Sequence, residues 1–266
     1  MLIRQDWSLA QNVCYDKNIK VELDIRRYVT HADELSVLTH HYNYKHIEVG
    51  YGISELAVRL ERFLQDNNLS MTVCQYPWYG ATQFNVPLGD DVYYLINPNG
   101  NDGTVISKER VIEMAKDYKY LIVDEAYGDF ANESVIYEHV KNIIVLKTLS
   151  KSYAMPGARF GWCIANKTVI EELKKYRPIC ATIPSDTLKY ILNDIPNHIK
   201  RMIETRNYLE TNFDCVPSNS NYVLFKEPNQ YTEKLGYKQV NGLYRMSLID
   251  MDTLAEYNKY SKHDWS

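Results

Sequence analysis

The chain has 266 residues, 45% hydrophobic and 24% charged, with a formal net charge of −4. That length can bury a full core in one large or two modest domains. The charge is spread without a basic stripe or a block of one sign, which argues against nucleic acid or an anionic membrane as partner. The five cysteines, Cys14, Cys74, Cys163, Cys180 and Cys215, are odd in number and widely spaced. This argues against a disulfide framework or a thiolate zinc site and predicts reduced thiols in a cytoplasmic protein. No apolar run reaches membrane-spanning length, and the first seven residues lack the apolar core of a signal peptide, so a soluble protein is expected. The 23 tyrosines suit surfaces and sites that handle polar ligands.

Up to about Val29 the pattern is mixed and weakly periodic, and reads as an N-terminal arm. Residues 32–40 predict a short helix with Leu35 and Leu38 on one face. From Ile47 two glycines, Gly50 and Gly52, precede Ser54, the expected N-cap of a helix carrying Leu56, Val58, Leu60, Phe63 and Leu64. A glycine turn opening a helix presents main-chain amides and the positive dipole end, which favour a phosphate. Strand and helix then alternate. Strands are expected at 71–75, 92–96, 120–123, 142–146 and 160–165; Ser107 caps one helix and a Thr168/Glu171 capping box opens another. Such alternation predicts an α/β fold, with a mostly parallel central sheet flanked by helices. After Arg177-Pro178 the pattern changes to a helical stretch, 185–213, with Pro196 as its break point. Strands at 221–225 and 242–248 and a last helix from Asp250 or Asp252 complete a smaller α+β domain. The expected division is residues 1–30, 31–180 and 181–266.

The strand at 142–146 runs into Thr148-Leu149-Ser150-Lys151, and Arg159 follows eight residues after the lysine. In open α/β sheets ligands bind at the carboxyl ends of strands. An amine flanked by hydroxyls, with a permanent cation near by, suits a phosphorylated aldehyde. The amine can form a Schiff base while the hydroxyls and guanidinium hold the phosphate. Asp124 ends an apolar strand, where a carboxylate is costly unless paired. His40, His41 and His46 lack the accompanying ligand spacing of a metal site, so no metal is expected.

Taken together and in order, Gly52-Ile53-Ser54, Tyr79, the Asn97 turn, Asp124-Glu125-Ala126-Tyr127 and Thr148 to Arg159 with its Gly-x-Arg-x-Gly resemble one family. These are the class I/II aminotransferases of fold type I, near histidinol-phosphate aminotransferase, and the likeness runs from about Arg27 to Arg245. The resemblance implies a seven-strand-type central sheet and the cofactor pyridoxal 5'-phosphate. Lys151 would hold the cofactor and later move a proton, Asp124 would face the pyridine nitrogen, and Tyr127 would reach the ring oxygen. Tyr79 would stack on the ring. Gly52, Ile53, Ser54, Thr148, Ser150 and Arg159 would form the phosphate cup. Tyr28 of a second subunit would complete that cup in a homodimer, with Tyr42 and Tyr44 as competitors for the role. Arg245 would clamp the substrate carboxylate.

This sequence departs from the family where an asparagine before proline usually touches the ring oxygen. Gly100 stands there, so that contact falls to Asn99 or Asn101, or is missing. The chain is also shorter than typical members, at the N-terminus and in the small domain. The implied activity is transfer of an amino group between an amino acid, or a small phosphorylated amine, and a 2-oxo acid. The rivals are a decarboxylase of the threonine-phosphate type and a non-catalytic homologue that binds the cofactor without turnover.

Overall fold

The computed structural model describes residues 13–21, 29–73, 84–178 and 181–259. In chain order, helix α1 (His31–Tyr42) leads to β1 (Ile47–Gly50) and α2 (Ile53–Asp66), then β2 (Met71–Val73), β3 (Val92–Ile96), α3 (Lys108–Met114) and β4 (Tyr120–Asp124). Strand β5 (Ile143–Thr148) runs straight into the one-turn α4 (Leu149–Ser152), followed by β6 (Gly161–Ile164) and α5 (Lys167–Lys174). The long α6 (Ser185–Asn212) precedes β7 (Cys215–Val216), β8 (Tyr222–Phe225), α7 (Gln230–Leu235), β9 (Lys238–Val240), β10 (Leu243–Ser247) and α8 (Met251–Lys259).

The first sheet has six strands among the described residues, against the seven-strand type expected, in the order β1-β6-β5-β4-β3-β2. Strands β2 to β5 pair in parallel, whereas β6 is antiparallel to both β5 and β1. Leu121, Ile122, Val123, Ile144 and Leu146 are buried; a strand covered on both faces reads as a continuous apolar run, and each such side chain contributes roughly 1.5–3 kcal/mol over exposure. The register does the work of placing the site. Ile96 pairs with Asp124, Asp124 with Leu146, Thr148 with Gly161, and Gly161 with Gly50. The ends of four strands and the start of β6 therefore meet at one edge.

The second sheet, β7-β8-β10-β9, is antiparallel throughout. Its apolar face packs with Ile199, Met202 and Leu209 of α6, whereas Leu188, Ile191 and Leu192 of the same helix belong to the first core. Helix α6 thus runs through both apolar clusters. Pro196 lies inside it without ending it, so the expected break is absent.

Two helix starts differ from expectation. Gly52, not Ser54, is the N-cap of α2, because its φ of 79° makes the sharp turn and shifts Ser54 into the first turn. Asn166 caps α5 by accepting from the Val169 amide, in place of the Thr168/Glu171 box. Ser107 does cap α3, and Asp250 rather than Asp252 caps α8, accepting from the Thr253 amide at 3.0 Å. Among the described residues no helix is long and apolar enough to cross a membrane, and no cluster of His, Cys, Asp or Glu is arranged to hold a metal ion.

Candidate active site

At the edge where the strand ends meet lies a cavity of about 350 Å³, within the size range of small-molecule sites, roughly 300–1,000 Å³. Gly52, Ile53, Ser54, Asp124, Tyr127, Thr148, Ser150, Lys151 and Arg159 all line it. Residues separated by up to 146 positions in sequence, from Val13 to Arg159, are brought together here by strand register and by the turns and helix starts at the strand ends.

Lys151 sits on α4, whose first turn is closed by Thr148: the Thr148 hydroxyl accepts from the Ser150 amide at 3.2 Å and donates to the Phe160 carbonyl at 3.0 Å. The Lys151 Nζ lies 5.8 Å from the centre of the Tyr127 ring. Burial, and then the charge of Arg245, pull the Lys151 pKa down to about 8. An amine so placed is a ready nucleophile and proton carrier near neutral pH, where an ordinary lysine is almost wholly charged.

Asp124 is buried at the end of β4. Its Oδ2 accepts from the Tyr94 hydroxyl at 2.7 Å and its Oδ1 from the Ala126 amide at 2.9 Å. Burial raises its pKa, against the pull of these two hydrogen bonds. A cationic N–H facing this carboxylate would supply the opposite charge that burial otherwise denies it.

Helix α2 opens on the same cavity with no side chain capping its first turn. Unsatisfied amides and the dipole make such an end attractive to an anion. The Arg159 guanidinium is held there, donating to the carbonyls of Tyr51 at 3.1 Å and Pro156 at 3.3 Å. The hydroxyls of Thr148 and Ser150 lie 3.0 Å apart on the facing turn.

Not every expected residue lines the cavity. Asn99 and Asn101 do not: the Asn99 side-chain oxygen accepts from the Asn101 amide at 2.9 Å, within the loop itself. Arg245 lies behind the wall, 2% exposed, donating to the Gly100 carbonyl at 2.6 Å. Tyr28 and Tyr79 fall outside the described residues. The competing Tyr42 is in the first apolar core, and Tyr44 donates to the Ala165 carbonyl at 3.2 Å.

Sequence reasoning missed Val13, Ala57, Val58, Glu61, Ile96 and Gly100 as lining residues, and Tyr94 as the partner of Asp124. Helical spacing from Ser54 could have found Ala57, Val58 and Glu61. Nothing local announces Val13 or Tyr94, which arrive through chain return and cross-strand pairing.

The chain belongs to the aminotransferase class I and II family, whose profile it matches over residues 27–253. It is 31% identical over 179 residues to a histidinol-phosphate aminotransferase of Rhodopirellula baltica, covering 62% of this chain and 49% of that protein. A second histidinol-phosphate aminotransferase, from Colwellia psychrerythraea, is 31% identical over 159 residues, covering 51% and 43%. The chain thus spans about half the length of these curated relatives. The crystal structure of histidinol-phosphate aminotransferase from Sinorhizobium meliloti, in complex with pyridoxal-5'-phosphate, superposes with a TM-score of 0.70 at 17% identity, covering 89% of this chain and 82% of that one. Its fold is the fold type I architecture seen here.

Proposed function

We propose that this chain is a pyridoxal-phosphate-dependent aminotransferase. The observation that carries the proposal is a lysine amine of pKa about 8 sharing one cavity with a buried carboxylate and an uncapped helix start. That donor set fits pyridoxal phosphate. The amine suits the aldehyde, Asp124 suits a protonated ring nitrogen, and the α2 start with Ser54, Thr148, Ser150 and Arg159 suits the phosphate. When bound, the cofactor supplies an electron-accepting ring that allows a proton to leave the substrate's amine-bearing carbon.

The chain's own residues do the rest. Lys151 takes and returns that proton, and its lowered pKa keeps a useful fraction neutral at pH 7 to 8. Tyr94 and the Ala126 amide orient Asp124. Tyr127 lines the wall with its ring 5.8 Å from the Lys151 amine, and Arg159 adds the planar fork that a lysine cannot imitate. Arg245 is the proposed partner of a substrate carboxylate. Asn99 or Asn101, Tyr79 and Tyr28 remain proposed contacts to the cofactor, Tyr28 from a second subunit of a homodimer. The proposed donor is an amino acid or a small phosphorylated amine such as histidinol phosphate, which the relatives' names support, with a 2-oxo acid as proposed acceptor and the cytoplasm as proposed location. The proposed division is into 1–30, 31–180 and 181–266; the first apolar cluster lies mainly in the second of these and the second mainly in the third, with α6 contributing to both.

The test is direct. Protein mixed with pyridoxal phosphate should gain an absorbance band that borohydride bleaches, and mass spectrometry of the digest should find the reduced adduct on Lys151. Donor amines should then convert the band to the pyridoxamine form. Release of carbon dioxide instead would mark the decarboxylase, and absence of any adduct would sink the reading.

A further inference from the structure

The loop after β3 is gripped by the second sheet through its main-chain carbonyls. Arg245 on β10 donates from Nη1 to the Gly100 carbonyl at 2.6 Å, and its Nη2 lies 3.5 Å from the Tyr127 hydroxyl. The same guanidinium stacks 3.7 Å from the centre of the Tyr222 ring, and the Tyr222 hydroxyl donates to the Asn99 carbonyl at 3.1 Å. Tyr127 and Tyr222 meet edge to face, 6.2 Å between ring centres. Gly100 closes this knot. A Cβ added there would stand 2.9 Å from Cε2 of Tyr127, closer than real side chains approach.

We propose that Gly100 is a positioning residue for Tyr127. Because it has no side chain, the Tyr127 ring rests directly on the main chain at residue 100, and Arg245 reaches the carbonyl behind it. A buried guanidinium must find acceptors for its donors, and here its acceptors are that carbonyl and the Tyr127 hydroxyl. One arginine thereby fixes the loop and the phenol together. Any side chain at 100 pushes the ring away and loosens the Arg245 grip, so the phenol whose ring lies under the Lys151 amine is aimed by a residue with no functional group. The consequence for cofactor chemistry rests on the proposed function; the position of the ring does not.

The experiment compares Gly100→Ala, Tyr127→Phe and the double variant. Without cofactor, protein carrying tyrosine labelled with carbon-13 at Cζ is followed by NMR, the Tyr127 signal being the one lost in Tyr127→Phe. Gly100→Ala should move that signal while the protein stays folded. With pyridoxal phosphate added, the pH midpoint of the cofactor's absorbance change should shift by about half a unit or more, roughly threefold in proton affinity. Gly100→Ala should add no further shift in the Tyr127→Phe background. A merely structural glycine would lower the melting temperature and leave both readings still. An unmoved Tyr127 signal, or an equal midpoint shift in both backgrounds, overturns the proposal. If Gly100→Ala fails to fold, Arg245→Lys must move the same signal, and a still signal there overturns it too. Protein that takes up no cofactor refutes the functional reading, and the NMR comparison still decides the role of Gly100.

Discussion

At pH 7 the Lys151 amine carries a charge in a place poor in water and close to a second cation, Arg245. The folded pKa of about 8 lies below the ordinary 10.5, so folding must work against the charged form. Between pH 8 and 10.5 the unfolded chain binds more protons than the folded one, and stability from this residue rises with pH across that window. We therefore predict that Lys151→Met, without cofactor, is more stable than the parent at pH 7 by about 1–3 kcal/mol. The gap should close towards pH 10.5 in urea denaturation followed at each pH; a gap that is constant with pH refutes the argument. A site that destabilises its own fold is what function at a strained position looks like. Lys151 and Asp124 were both legible in the sequence, because a charged group at the end of an apolar strand is conspicuous. Tyr94 was not, since one tyrosine on a buried strand looks like any other until register sets it beside Asp124.

Among the elements, β1 is the instructive case. It holds Glu48, buried, which accepts from Arg59 at 2.9 Å and from Arg177. A carboxylate in the middle of a four-residue strand hid the strand from pattern reading, although the structure satisfies it completely with two arginines from α2 and the segment after α5. Replacing it takes the carboxylate partner from the half-buried Arg177 and leaves the buried Arg59 with Glu55 and two main-chain carbonyls as its acceptors. Glu48→Leu should lose roughly 3–5 kcal/mol, read as a lower urea midpoint with the same slope, whereas a loss under 1 kcal/mol would show the network to be dispensable. The α2 cap was misassigned for a related reason: Ser54 has the better capping side chain, but backbone conformation at Gly52 decides where the helix begins.

For the molecule as a whole, the N-terminal segment is tied down where the two apolar clusters meet. Val13 lines the cavity, Cys14 packs in the second cluster, and Tyr15 bridges to Ile249. Asp16 anchors it by accepting from His198 at 2.9 Å and from Arg201 at 2.8 Å. These bonds outweigh its burial and hold the Asp16 carboxyl well below the usual range. A depressed carboxyl gives stability that is present above about pH 4 and lost as pH falls further. Asp16→Asn should lower the melting temperature at pH 7 and flatten its fall between pH 4 and 2; an unchanged acid limb would show that this anchor is not what acid breaks. The sequence by itself determined the α/β class, the family and most of the cavity, because apolar runs and the chemistry at their ends are written locally. Only the tertiary structure decided that β6 runs against its neighbours, that Val13 returns to the cavity, and that Gly100 leaves its space to Tyr127. Each of these depends on which distant segments pack together, and burial and register set that while neighbouring residues carry no trace of it.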